Sequence, residues 1–243
     1  MIIASAQTKA FDGDIERNLQ EHYRLIDRAS EHKVDLIIFP EMSITAYVRD
    51  RAEELAFVEN DRRLNELQNL AKKKKMIIVA GAPIRVNSDL FIGSFVISPN
   101  QPIAIYTKQF LHPGEEVYFN SSFEYDPGLQ LNGEQFSLAI CADIDHPEHP
   151  EKAASSGSSF YLPGIFFSEN GIAEAHRMLS RYARENSMNV LMANFCGECW
   201  GIMSGGESAF WNSKGQMVGS LNRTDEGLLI VEDNNGDWIA KVV

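Results

Sequence analysis

Three residues whose types together support acyl transfer stand at the ends of short apolar runs. Glu41 follows Leu36-Ile37-Ile38-Phe39-Pro40, Lys108 follows Ile103-Ala104-Ile105-Tyr106-Thr107, and Cys141 follows Phe136-Ser137-Leu138-Ala139-Ile140. Such runs read as strands, and in α/β folds sites gather at the carboxyl ends of strands. A cysteine supplies a nucleophile, a glutamate a general base, and a lysine a fixed cation for a developing oxyanion. Singly, each has an ordinary explanation: a small buried side chain, a helix-start carboxylate, a solvated amine. In combination they suffice for acyl transfer.

The elements that must position them alternate along the chain. Strands are expected over 1–6, 36–39, 76–82, 90–97, 103–107 and 136–140, then over 190–195, 209–211, 217–220 and 228–231, the last closing the series. Asp14 caps a helix whose apolar positions Ile15, Leu19, Tyr23 and Ile26 share a face. Leu64, Leu67, Leu70 and Ala71 mark a second helix, ended by the lysine run 72–75, whose charges suit a helix C-terminus. A further helix is expected over about 171–186, and Asn132-Gly133 reads as a hairpin turn. The class is α/β (or α+β) with many short strands and four or five helices. Two sheets packed face to face with helices outside fit this pattern, and so does a single doubly wound sheet. No linker, repeat or low-complexity segment divides the chain, so one domain over residues 1–243 is expected.

Composition narrows the function. Against 34 Asp and Glu stand 22 Lys and Arg, for a formal charge of −12, which argues against nucleic acid and anionic membrane partners. No apolar run is long enough to span a bilayer, and the start MIIASAQTKAFDGD shows no export signal. Three cysteines (Cys141, Cys196, Cys199) are too few for a disulfide scaffold, so a reducing cytoplasm is the expected compartment. Gly205-Gly206 is a turn signal rather than a phosphate loop, and no cofactor or metal is expected.

The sequence also resembles the nitrilase superfamily of carbon–nitrogen hydrolases. The matching segments are Phe39-Pro40-Glu41 with Tyr47 just after, Tyr106-Thr107-Lys108, and Ile140-Cys141-Ala142-Asp143, with separations of 67 and 33 residues from Glu to Lys to Cys. Weaker matches are Ala183-Arg184-Glu185-Asn186, Ala193-Asn194 with Gly197, and Gly206-Glu207-Ser208 ahead of Ser213-Lys214-Gly215. The resemblance implies a four-layer α-β-β-α sandwich of two mixed sheets flanked by helices. It implies association through outer helices, commonly as a homodimer. It implies hydrolysis of a non-peptide C–N bond in a small amide or N-carbamoyl compound, with Cys141 as nucleophile, Glu41 as base and Lys108 as cation. The Ala142 N–H is then the natural second oxyanion donor, and Tyr47 joins the substrate-binding groups. The family's second glutamate, four residues before an aromatic, falls on Glu115 counting back from Phe119, with Glu116 as close competitor. The two carboxylates of that loop point to tolerance of cationic substrates.

After the cysteine the sequence departs from the family. Many members carry Tyr-Asp-Leu-Arg-Phe-Pro-Glu, whereas Ala142-Asp143-Ile144-Asp145-His146-Pro147-Glu148 lacks the aromatic and the arginine. Nitrile hydrolysis and glutaminase-type ammonia supply would use the same site. A Cys–His hydrolase would need His146 or His149, which Pro147 and Pro150 place in a solvated loop. Cys196 and Cys199 form a single C-x-x-C, read as two reduced thiols after a strand, with no second pair to complete a zinc site. In the family that loop lies near the pocket, so Cys196 is expected to line it. A non-catalytic module binding a metabolite or a protein is the alternative of another class.

Overall fold

Consecutive residues along the strands are apolar, so each strand needs buried material on both faces. The computed structural model, which describes residues 1–234 and 236–243, supplies it with two sheets and two helical layers. The first half contains β1 (Ile2–Gln7), α1 (Ile15–Glu31), β2 (Leu36–Ile38), α2 (Ala52–Leu55), α3 (Asn65–Lys74), β3 (Ile77–Val86), β4 (Asp89–Ile97) and β5 (Ala104–Thr107). The second half contains β6 (Leu129–Leu131), β7 (Glu134–Ile140), α4 (Glu148–Ser155), β8 (Phe160–Gly164), α5 (Ile172–Glu185) and β9 (Asn189–Met192). The hairpin β10 (Glu198–Cys199) and β11 (Ile202–Met203) follows, then β12 (Ala209–Trp211), β13 (Met217–Ser220), β14 (Gly227–Asn234) and β15 (Asp237–Val242).

One sheet has the order β15-β14-β1-β2-β3-β4-β5 and the other β13-β12-β9-β8-β7-β6. Both are mixed: β1-β2-β3 and β7-β8-β9 are parallel, and their flanks antiparallel. Side-chain parity sorts the core into three layers. Ile3, Leu36, Ile38, Val79, Leu138, Ile140, Leu162 and Leu191 fill the space between the sheets. Ala4, Ile37 and Ile78 face outward beneath α1 and α3, and Ala139, Tyr161 and Val190 face outward beneath α4 and α5. The doubled burial is thus a four-layer α-β-β-α sandwich, as the resemblance implied.

Several local expectations need correction. The α1 face that is buried runs through Asn18 and His22 as well as Leu19 and Ile26, while Ile15 and Tyr23 are only half-buried. Residues around His149 are helical rather than a loop, because the two prolines sit at the helix start, where no N–H partner is needed. The strands β8 and β15 were not anticipated, and β15 rather than β14 closes the series. The Asn132-Gly133 turn does join β6 to β7, with both residues left-handed.

Two glycines let the chain leave β2 between the sheets. A Cβ on Gly81 of β3 would lie 2.4 Å from the Met42 nitrogen, and one on Gly164 of β8 would lie 2.9 Å from the Phe39 oxygen. The segment carrying Glu41 is therefore gripped by one glycine from each sheet. Gly81→Ala and Gly164→Ala are each expected to lower unfolding stability by about 1–3 kcal/mol. A urea midpoint equal to that of the unmodified protein would contradict the close approach.

Candidate active site

Glu41 is held by a buried polar chain that starts on α1. The His22 ring stacks on Phe39 at 4.0 Å between centroids. Its Nδ1 lies 2.7 Å from the Asn18 carbonyl and so carries the proton, which leaves Nε2 to accept from the Ser43 hydroxyl at 2.9 Å. Ser43 Oγ in turn accepts from the Gly81 N–H, and Asn18 donates to the Ile44 carbonyl. Burial pulls the His22 pKa down to about 4, so the ring is neutral at physiological pH. Left-handed Met42 and Ala46 complete the tight turn.

Cys141 follows β7 with φ of +42°, an uncommon conformation for a non-glycine residue, and opens a 3₁₀ turn through Asp145. The buried Asp143 carboxylate fixes that turn. One oxygen accepts from the N–H groups of Gln109 and Phe110 at 2.9 and 2.8 Å. The other accepts from the Ile140 N–H at 2.8 Å and the Tyr106 hydroxyl at 2.7 Å. Asp143 therefore ties the residues flanking Cys141 to those flanking Lys108. Behind it, Tyr106 accepts from His149 Nε2, and Tyr161 donates to His149 Nδ1, both at 2.9 Å. His149 is thus a buried structural ring rather than a solvated one. His146 stacks on Phe110 at 3.8 Å, and neither histidine bonds to Cys141.

Lys108 is fully buried between two carboxylates. Its Nζ donates to Glu41 Oε1 and to Glu115 Oε1, each at 2.8 Å. Glu115 is saturated: Oε1 also accepts from the Tyr47 hydroxyl, and Oε2 from the His112 N–H at 2.8 Å. Glu41 is not, since its buried Oε2 has no partner among the described residues. An ammonium has three N–H donors, so one on Lys108 remains for a substrate oxygen.

Burial pushes Glu41 up to about 7, against the pull of Lys108 and with the help of Glu115's charge. Burial disfavours charged Lys108, but Glu41, Cys141 and Glu115 outweigh it and hold its pKa above the usual range. Burial and the charge of Glu41 raise the Cys141 thiol well above its usual value, partly offset by Lys108. The resting cysteine is therefore a thiol rather than a preformed thiolate.

Glu41, Tyr47 and Cys141 open into a cavity of about 390 Å³, whose walls include Phe166, Phe167 and Trp200. Phe166 follows β8, and its carbonyl lies 3.7 Å from the thiol. Asn194 holds the next residue by bonding both its N–H and its carbonyl. Ala142 is buried beside the thiol, and its N–H is one that the start of a 3₁₀ turn leaves without an internal partner. Glu116 does not join the site. Its side chain is exposed and accepts from the Gly114 N–H, a turn role, so Glu115 alone sits inside. That arrangement removes the basis for expecting cationic substrates from this loop. Cys196 does not line the cavity either; it is a fully buried free thiol, as is Cys199. Arg49, Phe166, Trp200 and the bracing Asp143 escape a reading by residue type. Only the Asp two positions after Cys141 leaves a trace in the sequence.

Every partner of Asp143 is a donor, so an amide cannot replace the carboxylate without facing N–H to N–H. Asp143→Asn is expected to cost about 2–3 kcal/mol and to slow turnover. Unchanged stability in urea unfolding would remove Asp143 from its bracing role.

Comparison with known proteins places this arrangement. The chain is 27% identical over 223 residues to a hydrolase in the agr operon of Staphylococcus aureus, covering 90% of this chain and 85% of that protein. It is 26% identical over 224 residues to the 2-oxoglutaramate amidase of Bacillus subtilis, with 90% and 85% covered. A glutamate-to-glutamine mutant of the amidase from Nesterenkonia sp. AN1, solved after Michael addition of acrylamide at its active site cysteine, superposes with a TM-score of 0.86. It is 26% identical and covers 96% of this chain and 93% of that one. The family profile described as carbon-nitrogen hydrolase matches residues 2–240, and the chain belongs to that family, within the nitrilase superfamily.

Proposed function

We propose that the protein hydrolyses a small non-peptide amide or N-carbamoyl compound through a Cys141 thioester. The observation that carries the reading is the asymmetry of the two carboxylates on Lys108. Glu115 has every oxygen occupied, while Glu41 keeps one buried oxygen open and lines the same cavity as Cys141. Two carboxylates of the same type thus take different parts: Glu115 and Tyr47 position the lysine, and Glu41 moves protons.

In this mechanism Glu41 takes the thiol proton as sulfur attacks the substrate carbonyl. Lys108 and the Ala142 N–H donate to the oxyanion, and one such donor is worth about 3 kcal/mol in the transition state. The C–N bond breaks and the departing ammonia or amine takes the proton from Glu41. Water then gives a proton to Glu41 and attacks the thioester, releasing the acid, and the thiol regains its proton. A base with a pKa near 7 facing a thiol of raised pKa suits a transfer concerted with attack. The relatives support the reading: two of those compared, from Bacillus subtilis and Nesterenkonia sp. AN1, are amidases.

Cys141→Ala is expected to abolish ammonia release from an amide panel, and Glu41→Gln to lower it by at least about a hundredfold. Mass spectrometry of the quenched wild-type reaction should show an acyl adduct on Cys141. Turnover surviving in Cys141→Ala would sink the assignment. Because Glu41 must be ionised to accept the proton, kcat/KM should rise with pH through an acid limb near 7. A profile that is flat from about pH 5 to pH 8 would contradict a Glu41 base.

A further inference from the structure

We propose that Arg49 is a carboxylate-binding subsite of this cavity, making the preferred substrate a small amide with a carboxylate on its acyl portion. The inference rests on the hydrolase reading above and narrows its substrate class. Arg49 lines the same cavity as Glu41 and Cys141. Its guanidinium lies over the Trp200 ring at 4.4 Å from the centroid and beside the Tyr47 ring at 5.3 Å. The nearby Arg51 pairs with Glu54 at 2.7 Å, whereas Arg49 has no ion pair among the described residues, and its buried Nε has no hydrogen-bond partner.

An unpartnered buried donor is costly, and the cost is recovered when a ligand brings an acceptor. A guanidinium stacked on an aromatic face keeps its in-plane N–H edge free, and that edge matches the two oxygens of a carboxylate. Tyr47 links Arg49 to the buried cluster, since its ring neighbours Arg49 and its hydroxyl bonds Glu115, which bonds Lys108. The subsite is therefore fixed relative to the reacting centre. Of the carboxylates lining the cavity, Glu41 is held against Lys108, and Asp145 is exposed with His112 and His146 near it. Asp145 is the group that would favour a cationic substrate instead.

Ammonia release from glutaramate, its neutral analogue pentanamide, 5-aminopentanamide and N-carbamoyl-β-alanine separates these cases. Wild-type kcat/KM for glutaramate should exceed that for pentanamide by at least about tenfold. In Arg49→Met the ratio should collapse, mainly through a raised KM for the acid, and Arg49→Lys should restore part of it. Better turnover of N-carbamoyl-β-alanine than of glutaramate would overturn the acyl-side carboxylate, because that compound carries its carboxylate on the leaving amine. Equal turnover of glutaramate and pentanamide, a preference for 5-aminopentanamide, or a ratio unchanged in Arg49→Met would overturn the subsite while leaving the hydrolase reading in place. Absence of Cys141-dependent ammonia from every compound would overturn the hydrolase reading itself. Calorimetry with Cys141→Ala, with and without Arg49→Met, reads the subsite without turnover. Glutaramate binding tighter than pentanamide only when Arg49 is present supports it, and equal binding removes it.

Discussion

The structure is organised around one buried cation. Lys108 has no contact with solvent, and a charge in that position is tolerable only with close counter-charges and satisfied donors. Two carboxylates supply them, which leaves the cluster one negative charge in excess. Both oxygens of Glu115 are occupied, because Tyr47 and the His112 N–H also donate to it. The excess therefore falls on Glu41, whose open oxygen has neither donor nor water-like surroundings. Burial, helped by the charge of Glu115 and opposed by Lys108, gives Glu41 the proton affinity of a competent base.

Holding these groups together takes both sheets. Glu41 leaves the seven-stranded sheet, Cys141 leaves the six-stranded sheet, and Lys108 leaves the far edge strand of the first. Three unlike devices close the gaps between them. Gly81 and Gly164 admit the Glu41 segment, the His22–Ser43 pair braces its turn, and Asp143 fastens the cysteine turn to the lysine strand. A second polar seam crosses the sheets where Gln7 of β1 accepts from the Ser208 N–H, and the Asn194 N–H donates to Ser208 Oγ. That seam sets Asn194, which holds the aromatic wall of the cavity. Interfaces between sheets are ordinarily apolar, and the polar links here run to the site.

Much of this was legible from the chain because short continuous apolar runs are a local signal. The ends of β2, β5 and β7 could be found, and with them Glu41, Lys108 and Cys141, which the fold does bring together. Local signals also misled. Prolines 147 and 150 read as loop markers but occupy the first turn of α4, where a missing N–H costs nothing. His149 read as solvated because its partners, Tyr106 and Tyr161, come from strands distant in sequence. In the edge strand β15, Asp237 and Lys241 confine the apolar run to Trp238, Ile239 and Ala240, too short to register as a strand. Glu115 and Glu116 are adjacent and identical in type, and only the 3₁₀ turn they open, Glu115–Val117, decides which points inward. Arg49 carried no signal, since its role depends on Trp200, which the β10–β11 hairpin brings from the far end of the chain.

The central claim is that Glu41, buried beside Lys108, draws the proton from Cys141. Alkylation of Cys141 by iodoacetamide, followed across pH, measures that transfer without depending on the substrate. The account predicts that the wild-type alkylation rate rises with an inflection near 7, and that Glu41→Gln removes the inflection and slows the reaction severalfold or more. The same inflection and rate in Glu41→Gln would contradict it.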